Sequence, residues 1–254
     1  MSTRDISRYT EPKRGGQQMK IGVTEAIWRY PVKSMGGERL EQVAVESYGL
    51  LGDRFCSFYD EAKQGWNSYH TARKLPGLLL YQASYTDEGI KVKSPHGGSF
   101  SWDSQLQEEL EQVTGIRMSM SVEGEAGRED NSLKSVDAAS ILLITDASLR
   151  RLKEKWGKEV DPLRFRPNLF IGTDDPQLDE NDLIGAQLRI GNALVQVNSF
   201  CERCSMITCD PESLERDPSL LRSVNESFGL KFGLYASVLE PGTIAVGDTV
   251  IRVS

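Results

Sequence analysis

The residues with the clearest chemical potential form the stretch Cys201-Glu202-Arg203-Cys204. It places two thiols around a guanidinium group, and a nearby fixed cation favours a thiolate over a thiol. A thiolate is both a soft metal ligand and a nucleophile. The stretch therefore predicts a metal-binding or nucleophilic centre, with a pair of buried and inert thiols as the alternative.

Two familiar uses of a Cys-x-x-Cys pair fit this sequence poorly. A structural zinc site needs four ligands, and the other candidates, Cys56, Cys209, His70 and His96, do not repeat the paired spacing. A thioredoxin-like centre needs the pair to open a helix. The segment that follows, 205–208, is rich in residues that favour strands, which argues against such a helix.

A second set of candidate residues consists of cations beside predicted turns. Guanidinium groups bind phosphate in a bidentate manner, and backbone N–H groups in turns add to an anion site. Any one of these cations alone is more simply a solvated charge or half of an ion pair. Together, in an acidic protein, they predict a phosphate or anion pocket formed by Lys33, Arg54, Arg73, Arg166 and Arg203.

Three other titratable residues stand near these motifs. Asp137 and Asp146 flank the apolar run 141–144, and Asp146 is predicted to be the first-turn acid of a helix. The residues alone leave the role of Asp137 open. His70 precedes Thr71-Ala72-Arg73, and a single histidine in such a place is more often structural than catalytic.

Composition limits the class of protein. The 254 residues carry a net charge of -7, which argues against a general nucleic-acid binder. No apolar run is long enough to span a bilayer, and residues 1–18 contain no signal-peptide segment. We expect residues 1–18 to be a disordered extension, the four cysteines to be reduced, and the protein to be cytoplasmic.

Short alternating segments predict the elements that hold these residues. The fold class is expected to be mainly β with peripheral helices (α+β), because many short strands at close spacing suggest a barrel or sandwich. Predicted strands include 21–30, 40–45, 54–59, 67–73 and 165–171, and a hairpin spans 187–197. Predicted helices span 104–113, 146–156 and 211–224, the last interrupted by Pro218.

Six short motifs, taken in order, resemble the MOSC family, named for the C-terminal domain of molybdenum cofactor sulfurase. They are Tyr30-Pro31-Val32-Lys33-Ser34, Asp53-Arg54, Thr71-Ala72-Arg73, Phe165-Arg166-Pro167-Asn168, Cys201-Glu202-Arg203-Cys204 and Pro241-Gly242-Thr243. The likeness is to the subgroup with an N-terminal β-barrel region, which includes the mitochondrial amidoxime-reducing component and its bacterial relatives. It implies a MOSC N-terminal β-barrel region over 19–102 and a MOSC domain over 103–254.

The resemblance also implies a site. Members of this subgroup bind molybdenum as the pyranopterin cofactor, and the cysteine that ligates the metal maps to Cys204, with Cys201 as a supporting thiol. Asp137 lies where relatives carry an acid near the metal, and is carried over as a catalytic residue. The residues implied to hold the cofactor are Lys33, Arg54, Thr71, Arg73, Arg166, Asn168 and Arg203.

The implied function is that of a molybdenum-dependent oxidoreductase that reduces N-hydroxylated or N-oxide substrates. Some bacterial relatives carry a further ferredoxin-like domain with clustered cysteines, which this sequence lacks before it ends at Ser254. We therefore expect electrons from a separate ferredoxin, flavodoxin or flavoprotein reductase, and no nucleic-acid or membrane partner. The alternatives are a sulfur carrier with a persulfide on Cys204 and a protein that binds and delivers the cofactor. A family-level association with pyridoxal phosphate binding accompanies the resemblance.

Overall fold

The computed structural model of the protein describes residues 18–122 and 140–253. Asp137 and residues 1–17 of the predicted extension lie outside these ranges. None of the helices within them is long and apolar enough to cross a membrane. The division of the chain at residues 102 and 103 stays a prediction.

The described ranges contain sixteen strands and three α-helices, which confirms the mainly β prediction. The strands are β1 (Met19–Arg29), β2 (Glu38–Leu40), β3 (Gln42–Glu46), β4 (Gly49–Leu50), β5 (Cys56–Tyr59), β6 (Gln82–Thr86), β7 (Gly89–Lys93), β8 (Ser99–Ser101), β9 (Ser119–Val122), β10 (Ile141–Thr145), β11 (Leu169–Thr173), β12 (Gln187–Ile190), β13 (Ala193–Glu202), β14 (Lys231–Glu240), β15 (Gly242–Ala245) and β16 (Thr249–Arg252). The helices are α1 (Ser104–Thr114), α2 (Asp146–Trp156) and α3 (Pro218–Phe228). Short 3-10 helices occupy Gly65–Ser68, Pro76–Leu80, Pro162–Phe165, Glu180–Leu183 and Ser205–Thr208.

Seven strands close into a barrel. Their order is β11, β10, β14, β13, β12, β16 and β1, and the pairing of β1 with β11 completes the ring. Neighbouring strands are antiparallel except β10 and β11, which run parallel. Strand β2 extends the sheet beyond β1. One strand of the barrel therefore comes from the start of the described chain, and the other six follow residue 140.

The barrel forms because its strands alternate apolar and polar side chains. In β12, Leu188 and Ile190 have no exposed surface, whereas Gln187 and Arg189 are partly exposed. Leu143, Val195 and Val250 from three other strands are also fully buried in the same cluster. Each such side chain contributes about 1.5–3 kcal/mol on burial, so the interior is a packed core.

The predicted hairpin 187–197 and two predicted helices are confirmed. β12 and β13 pair through the turn at Gly191, whose φ of 55° favours glycine. Helix α2 begins after Thr145, whose hydroxyl accepts a hydrogen bond from Ser148 N at 3.1 Å. Helix α1 covers the predicted segment 104–113.

The third predicted helix is wrong at its start. We expected helix over 211–224 with Pro218 as an interruption, but α3 begins at Pro218. Proline suits the first turn because its missing N–H has no helical partner there. Asp217 caps the helix by accepting from Ser219 N at 3.0 Å. The helix then packs on α2 and the barrel through Leu220 and Val224.

Smaller sheets pack around α1 in the N-terminal half. Strands β5 and β9 form one sheet, and β6, β7 and β8 form another. Their side chains share a core with Leu106 and Leu110 of α1, both fully buried. This core also contains Val32, three residues after barrel strand β1 ends at Arg29. The segment that follows β1 therefore connects the barrel to this second core.

Two strand predictions are wrong at places that matter for the site. Residues 67–73 do not form a strand: only Tyr69 makes a bridge, to Tyr59, and the chain then turns with Lys74 N donating to Thr71 O at 2.9 Å. Residues 165–168 precede the strand that begins at Leu169. These interruptions leave Thr71, Arg73 and Arg166 on loops, where their side chains can reach a cavity.

Candidate functional site

A cavity lies where the end of β13 meets the loops that follow β1, precede β5 and precede β11. Seven residues predicted for the site line it together: Lys33, Arg54, Thr71, Arg73, Arg166, Arg203 and Cys204. The expected convergence of cations from distant parts of the sequence is therefore present. Their roles in binding a cofactor stay predictions.

The segment that ends β13 turns Cys204 outward. Cys201 and Arg203 are buried, whereas Glu202 and Cys204 are exposed, as expected for an extended chain whose side chains alternate. All four cysteines lie in the described ranges, and Cys204 is the one that is exposed. Glu202 and Cys204 both line the cavity, so its wall carries an accessible thiol beside a carboxylate.

The chain after Cys204 does not continue as a strand. Residues Ser205–Thr208 form a single 3-10 turn, with Ile207 N donating to Cys204 O at 3.3 Å. The strand preference of these residue types does not determine the conformation of the segment, because contacts with Arg164 hold it as a turn. Arg164 Nη1 donates to Thr208 O at 3.2 Å, and Arg164 Nη2 pairs with Asp210 Oδ2 at 2.8 Å.

Arg164 is a site residue that sequence reasoning missed. It lines the cavity and holds the turn that carries Cys204. Glu202 was likewise not selected, although it lies inside the Cys-x-x-Cys stretch. Two features of the sequence could have identified these residues. Arg164 lies two positions before Arg166, and side chains alternate along an extended chain, which puts Glu202 on the same side as Cys204.

Arg203 is buried and joins β14 and the 3-10 helix Pro162–Phe165 to the cysteine segment. Its Nε donates to Phe232 O at 2.6 Å, and its Nη1 donates to Phe165 O at 3.0 Å. Gly233 makes room for it, since a Cβ there would lie 2.9 Å from Arg203 Nη2. The remaining donor, Nη2, is buried without a hydrogen-bond partner among the described residues. A buried cationic donor of this kind suits an anionic ligand.

Left-handed backbone conformations concentrate at the cavity. Ser34, Arg54 and Arg166 have φ values of 69°, 54° and 54°, and all three line it. In the described ranges only two other non-glycine residues, Leu214 and Leu230, have a positive φ. This conformation is costly for residues with a Cβ and clusters at functional sites. Here it turns two guanidinium groups toward one space.

Asn168 stands behind the cavity wall instead of lining it. It has no exposed surface, and its Oδ1 accepts from Arg54 Nη1 at 3.1 Å and from Leu142 N at 3.0 Å. Its Nδ2 donates to Trp28 O at 3.2 Å. Arg54 also forms an ion pair with Asp53. The structure thus gives Asn168 the geometry of a residue that positions Arg54.

Lys33 is held by aromatic rings at the rim. Its Nζ lies 4.1 Å from the centre of the Trp66 ring and 5.4 Å from that of Tyr69. Lys33 is buried, while Trp66 is 41% exposed. A cation over an aromatic face is attracted by the ring quadrupole. Trp66 therefore forms an aromatic edge between solvent and the cavity cation.

The described lining is strongly positive. It carries six cations, namely Lys33, Arg54, Arg73, Arg164, Arg166 and Arg203, and one carboxylate, that of Glu202. Low-dielectric walls lined by one sign of charge focus the field on a ligand of opposite sign. Apolar surface is present as well, from Phe165, Met206 and Ile207. The cavity therefore suits a ligand with an anionic group and an apolar body.

The other candidates do not join this cavity. Cys56, Cys209, His70 and His96 are absent from its lining. Burial raises the pKa of the Cys209 thiol, whose Sγ lies 3.6 Å from Leu214 O. In the part of the chain that the structure describes, no group of three or more His, Cys, Asp or Glu side chains could hold a metal ion.

Comparisons with known proteins match two family domains along this chain. The MOSC N-terminal beta barrel domain matches residues 21–137, and the MOSC domain matches residues 130–251. Mitochondrial amidoxime reducing component 2 of Macaca fascicularis is 25% identical over 303 aligned positions, which cover 96% of this chain and 88% of that protein.

Two further matches concern other proteins. The molybdenum cofactor sulfurase of Drosophila mojavensis is 37% identical over 121 residues, which cover 46% of this chain and 15% of that protein. Among solved structures, the YuaD protein of Bacillus subtilis matches with a TM-score of 0.49 and 12% identity. That match covers 93% of this chain and 97% of the YuaD chain.

Proposed function

The chain belongs to the MOSC family, and from that premise we propose that it binds the molybdenum–pyranopterin cofactor and reduces N-hydroxylated or N-oxide compounds. The observation that carries the proposal is the cavity in which the exposed Cys204 thiol shares a wall with six cations. Relatives named amidoxime reducing components match nearly the whole chain.

The residues of the cavity fit such a group on chemical grounds. Thiolate is the soft ligand that a metal of this kind accepts, and Cys204 presents it from a fixed turn. Guanidinium forks match phosphate oxygens, and Arg54 and Arg166 provide two of them. The buried Nη2 of Arg203 has no partner among the described residues, so an anionic ligand would remove a desolvation cost.

In this proposal Cys204 holds the metal, and the clamp holds the pterin and its phosphate. The clamp consists of Lys33, Arg54, Thr71, Arg73, Arg166 and Arg203. Asn168 keeps Arg54 in place from behind. The bound cofactor supplies oxygen-atom transfer coupled to two-electron redox chemistry, and the protein supplies position and electrostatics.

Reduction of an N-hydroxyl group consumes two protons and two electrons and releases water. Within the described lining, Glu202 is the carboxyl group that can deliver a proton, since it faces the same side as Cys204. Asp137, the acid implied by the family resemblance, lies outside the described residues. The electrons come from a separate donor protein of the ferredoxin, flavodoxin or flavoprotein reductase type.

The experiment that tests the proposal begins with composition. Protein purified natively from a host that makes the cofactor is assayed for molybdenum and for pterin, each per mole of chain. The same sample is then given a chemical electron donor and an N-hydroxylated amidine. We expect near-stoichiometric metal and pterin together with formation of the amidine. Protein that lacks molybdenum and pterin under these conditions would falsify the proposal.

A second function is favoured by the match to molybdenum cofactor sulfurase, which covers 46% of this chain at 37% identity. In that function Cys204 carries a persulfide and passes its outer sulfur to an acceptor nucleophile. The exposed thiol suits transfer, but the cations would then have no assigned ligand. Mass spectrometry of untreated protein separates the two: a gain of one sulfur atom on Cys204 without molybdenum supports the carrier.

A third function, in which the protein only binds the cofactor and delivers it, shares the clamp with the first. Turnover separates them, because a delivery protein contains the cofactor but does not reduce substrate with a supplied donor. The family-level association with pyridoxal phosphate, the cytoplasmic location and the identity of the electron donor stay predictions.

A further inference from the structure

Tyr30 directly follows β1, and two arginines of the clamp, Arg54 and Arg166, lie over its ring. The Arg166 guanidinium carbon is 4.2 Å from the ring centre, and that of Arg54 is 5.6 Å from it. Both distances fall within the range of about 6 Å at which a cation is attracted to an aromatic face. One side chain thus contacts two clamp residues separated by more than a hundred positions.

The ring is fixed in place and removed from water. Tyr30 is 3% exposed. Gly37 packs so closely that a Cβ at that position would lie 2.6 Å from Tyr30 Cδ1. Desolvation makes a cation–π contact stronger than it is at an exposed site. The two guanidinium groups therefore rest on a rigid surface.

The Tyr30 hydroxyl has no role in holding these cations. It is buried without a hydrogen-bond partner among the described residues. Burial also raises the pKa of the phenol, so the side chain stays neutral at physiological pH and does not cancel the charge of the arginines. The aromatic face attracts the cations without adding a negative charge of its own.

The backbone near Tyr30 is held independently of its ring. Tyr30 N donates to Asp53 Oδ1 at 2.7 Å, and Arg54 N donates to Tyr30 O at 2.8 Å. Both bonds use main-chain atoms of Tyr30, so neither depends on the ring. A substitution of the ring therefore changes the support of the two guanidinium groups and leaves the main-chain path intact.

We propose that Tyr30 is a positioning residue of the anion clamp, whose neutral aromatic face holds the Arg54 and Arg166 guanidinium groups ready to bind one anion. The inference rests on the proposed function for the identity of the final ligand. The effect of Tyr30 on the two guanidinium groups applies to any phosphate-like anion. A guanidinium group that is already held in its binding position loses less conformational freedom when the anion binds.

The test measures binding of inorganic phosphate by the full chain, produced in a host that cannot make the cofactor. Isothermal titration gives the dissociation constant for wild type, Tyr30→Phe and Tyr30→Leu. We expect Tyr30→Phe to match wild type, because the ring remains. Tyr30→Leu should bind phosphate about 3- to 30-fold more weakly, the range of a cation–π contact.

A second series keeps the shape of the ring and covers the case in which Tyr30→Leu fails to fold. Phenylalanine at position 30 is replaced by its difluoro and trifluoro analogues, which weaken the negative face of the ring with little change in size. The phosphate dissociation constant should rise step by step with fluorination. Packing alone would leave that constant unchanged across the series.

Tyr85 provides the matched control, since its ring lies 5.2 Å from the guanidinium carbon of Arg29 and is absent from the cavity lining. The same fluorinated series at position 85 should leave phosphate binding unchanged. If wild type binds phosphate but the dissociation constant does not change with fluorination at position 30, the role of Tyr30 is overturned. That result leaves the proposed function standing, because metal and pterin content decide the function separately. Wild type that binds no phosphate overturns the anion clamp and the role of Tyr30 with it.

Discussion

Arg54 Nη1 donates a hydrogen bond to Asn168 Oδ1 at 3.1 Å across 114 positions of sequence. The same oxygen accepts from Leu142 N in β10, and the amide nitrogen of Asn168 donates to Trp28 O in β1. A single buried amide therefore ties a cavity cation to two strands of the barrel. Asn168 therefore contributes both to the position of the Arg54 guanidinium group and to the folding stability of the barrel.

Replacement of Asn168 should therefore affect both properties. Asn168→Ala leaves the Leu142 N–H buried without its acceptor, and we expect it to lower the free energy of unfolding by about 2–3 kcal/mol. Phosphate binding should weaken as well, since Arg54 loses a support. Urea denaturation and titration calorimetry measure the two effects. Asn181→Ala, at an exposed asparagine, should change stability by no more than about 0.5 kcal/mol.

The two cysteines of the Cys-x-x-Cys pair should differ in function. Cys204 is exposed at the cavity, and serine there substitutes a harder and far less acidic ligand. We expect Cys204→Ser to fold and lose reduction of N-hydroxylated compounds, with pterin still bound by the clamp. Cys201 is buried, and Cys201→Ser should retain activity with a modest loss of melting temperature.

Activity, pterin content and melting temperature are measured on the same samples of these two variants. Inactive Cys201→Ser together with active Cys204→Ser would show that the wrong cysteine is assigned as the ligand. Full activity in both variants would contradict thiolate ligation of the metal.

Arg166 combines a clamp guanidinium with a left-handed backbone, and two substitutions separate these features. Arg166→Ala and Arg166→Gly both remove the guanidinium, so both should lower cofactor occupancy and weaken phosphate binding about tenfold or more. Glycine adopts a φ of 54° without strain, so Arg166→Gly should be the more stable of the two.

The control for Arg166 is Arg189→Ala, which removes a surface arginine paired with Glu240 at 2.8 Å. It should alter neither cofactor occupancy nor phosphate binding. If Arg166→Ala retains full occupancy at unchanged stability, Arg166 does not belong to the clamp.

Glu180 should make stability depend on pH. It begins the 3-10 helix Glu180–Leu183 and is buried against the cap of α2, where its Oε1 accepts from Thr145 Oγ1 at 2.9 Å. Burial raises its pKa above the ordinary value of 4.5. The unfolded chain therefore releases this proton at lower pH than the folded chain does. As pH rises from the ordinary value through the raised pKa, this residue's contribution to folding stability is lost.

Glu180→Gln cannot lose a proton and keeps an oxygen that can accept from Thr145. We expect its melting temperature, relative to wild type, to rise by a few degrees between about pH 4 and about pH 8. Thermal melts across that range check the prediction. A difference that stays constant with pH would show that ionisation of Glu180 does not limit stability.

Local signals in the sequence determined several elements. Helix α2 was predicted over 146–156 and ends at Trp156 as expected, because its cap and its charges all lie within the segment. The hairpin of β12 and β13 was predicted for the same reason, since its turn is specified by two residues. The family resemblance, carried by six short motifs, was also available from the residues alone.

Segments whose conformation depends on distant partners were predicted less well. Residues 205–208 favour strand by type, yet Arg164 holds them in a 3-10 turn through Thr208 O. Residues 67–73 were predicted as a strand, but their pairing is limited to a single bridge from Tyr69 to Tyr59. Intrinsic β-preference is weak, and pairing with a neighbour decides whether a strand forms.

Sequence by itself thus determined which residues could do chemistry at this site: a cysteine pair, a set of cations and the family to which they belong. Only the tertiary structure decided that Cys204 is exposed at the cavity while Cys201 and Arg203 are buried in its wall, and that the Tyr30 ring lies against two arginines. The physical reason is that closure of the barrel brings β1 against β11 and β16, and with it the loops that carry the cations. Such long-range pairing is fixed by the packing of the whole core and leaves no mark in any one segment of sequence.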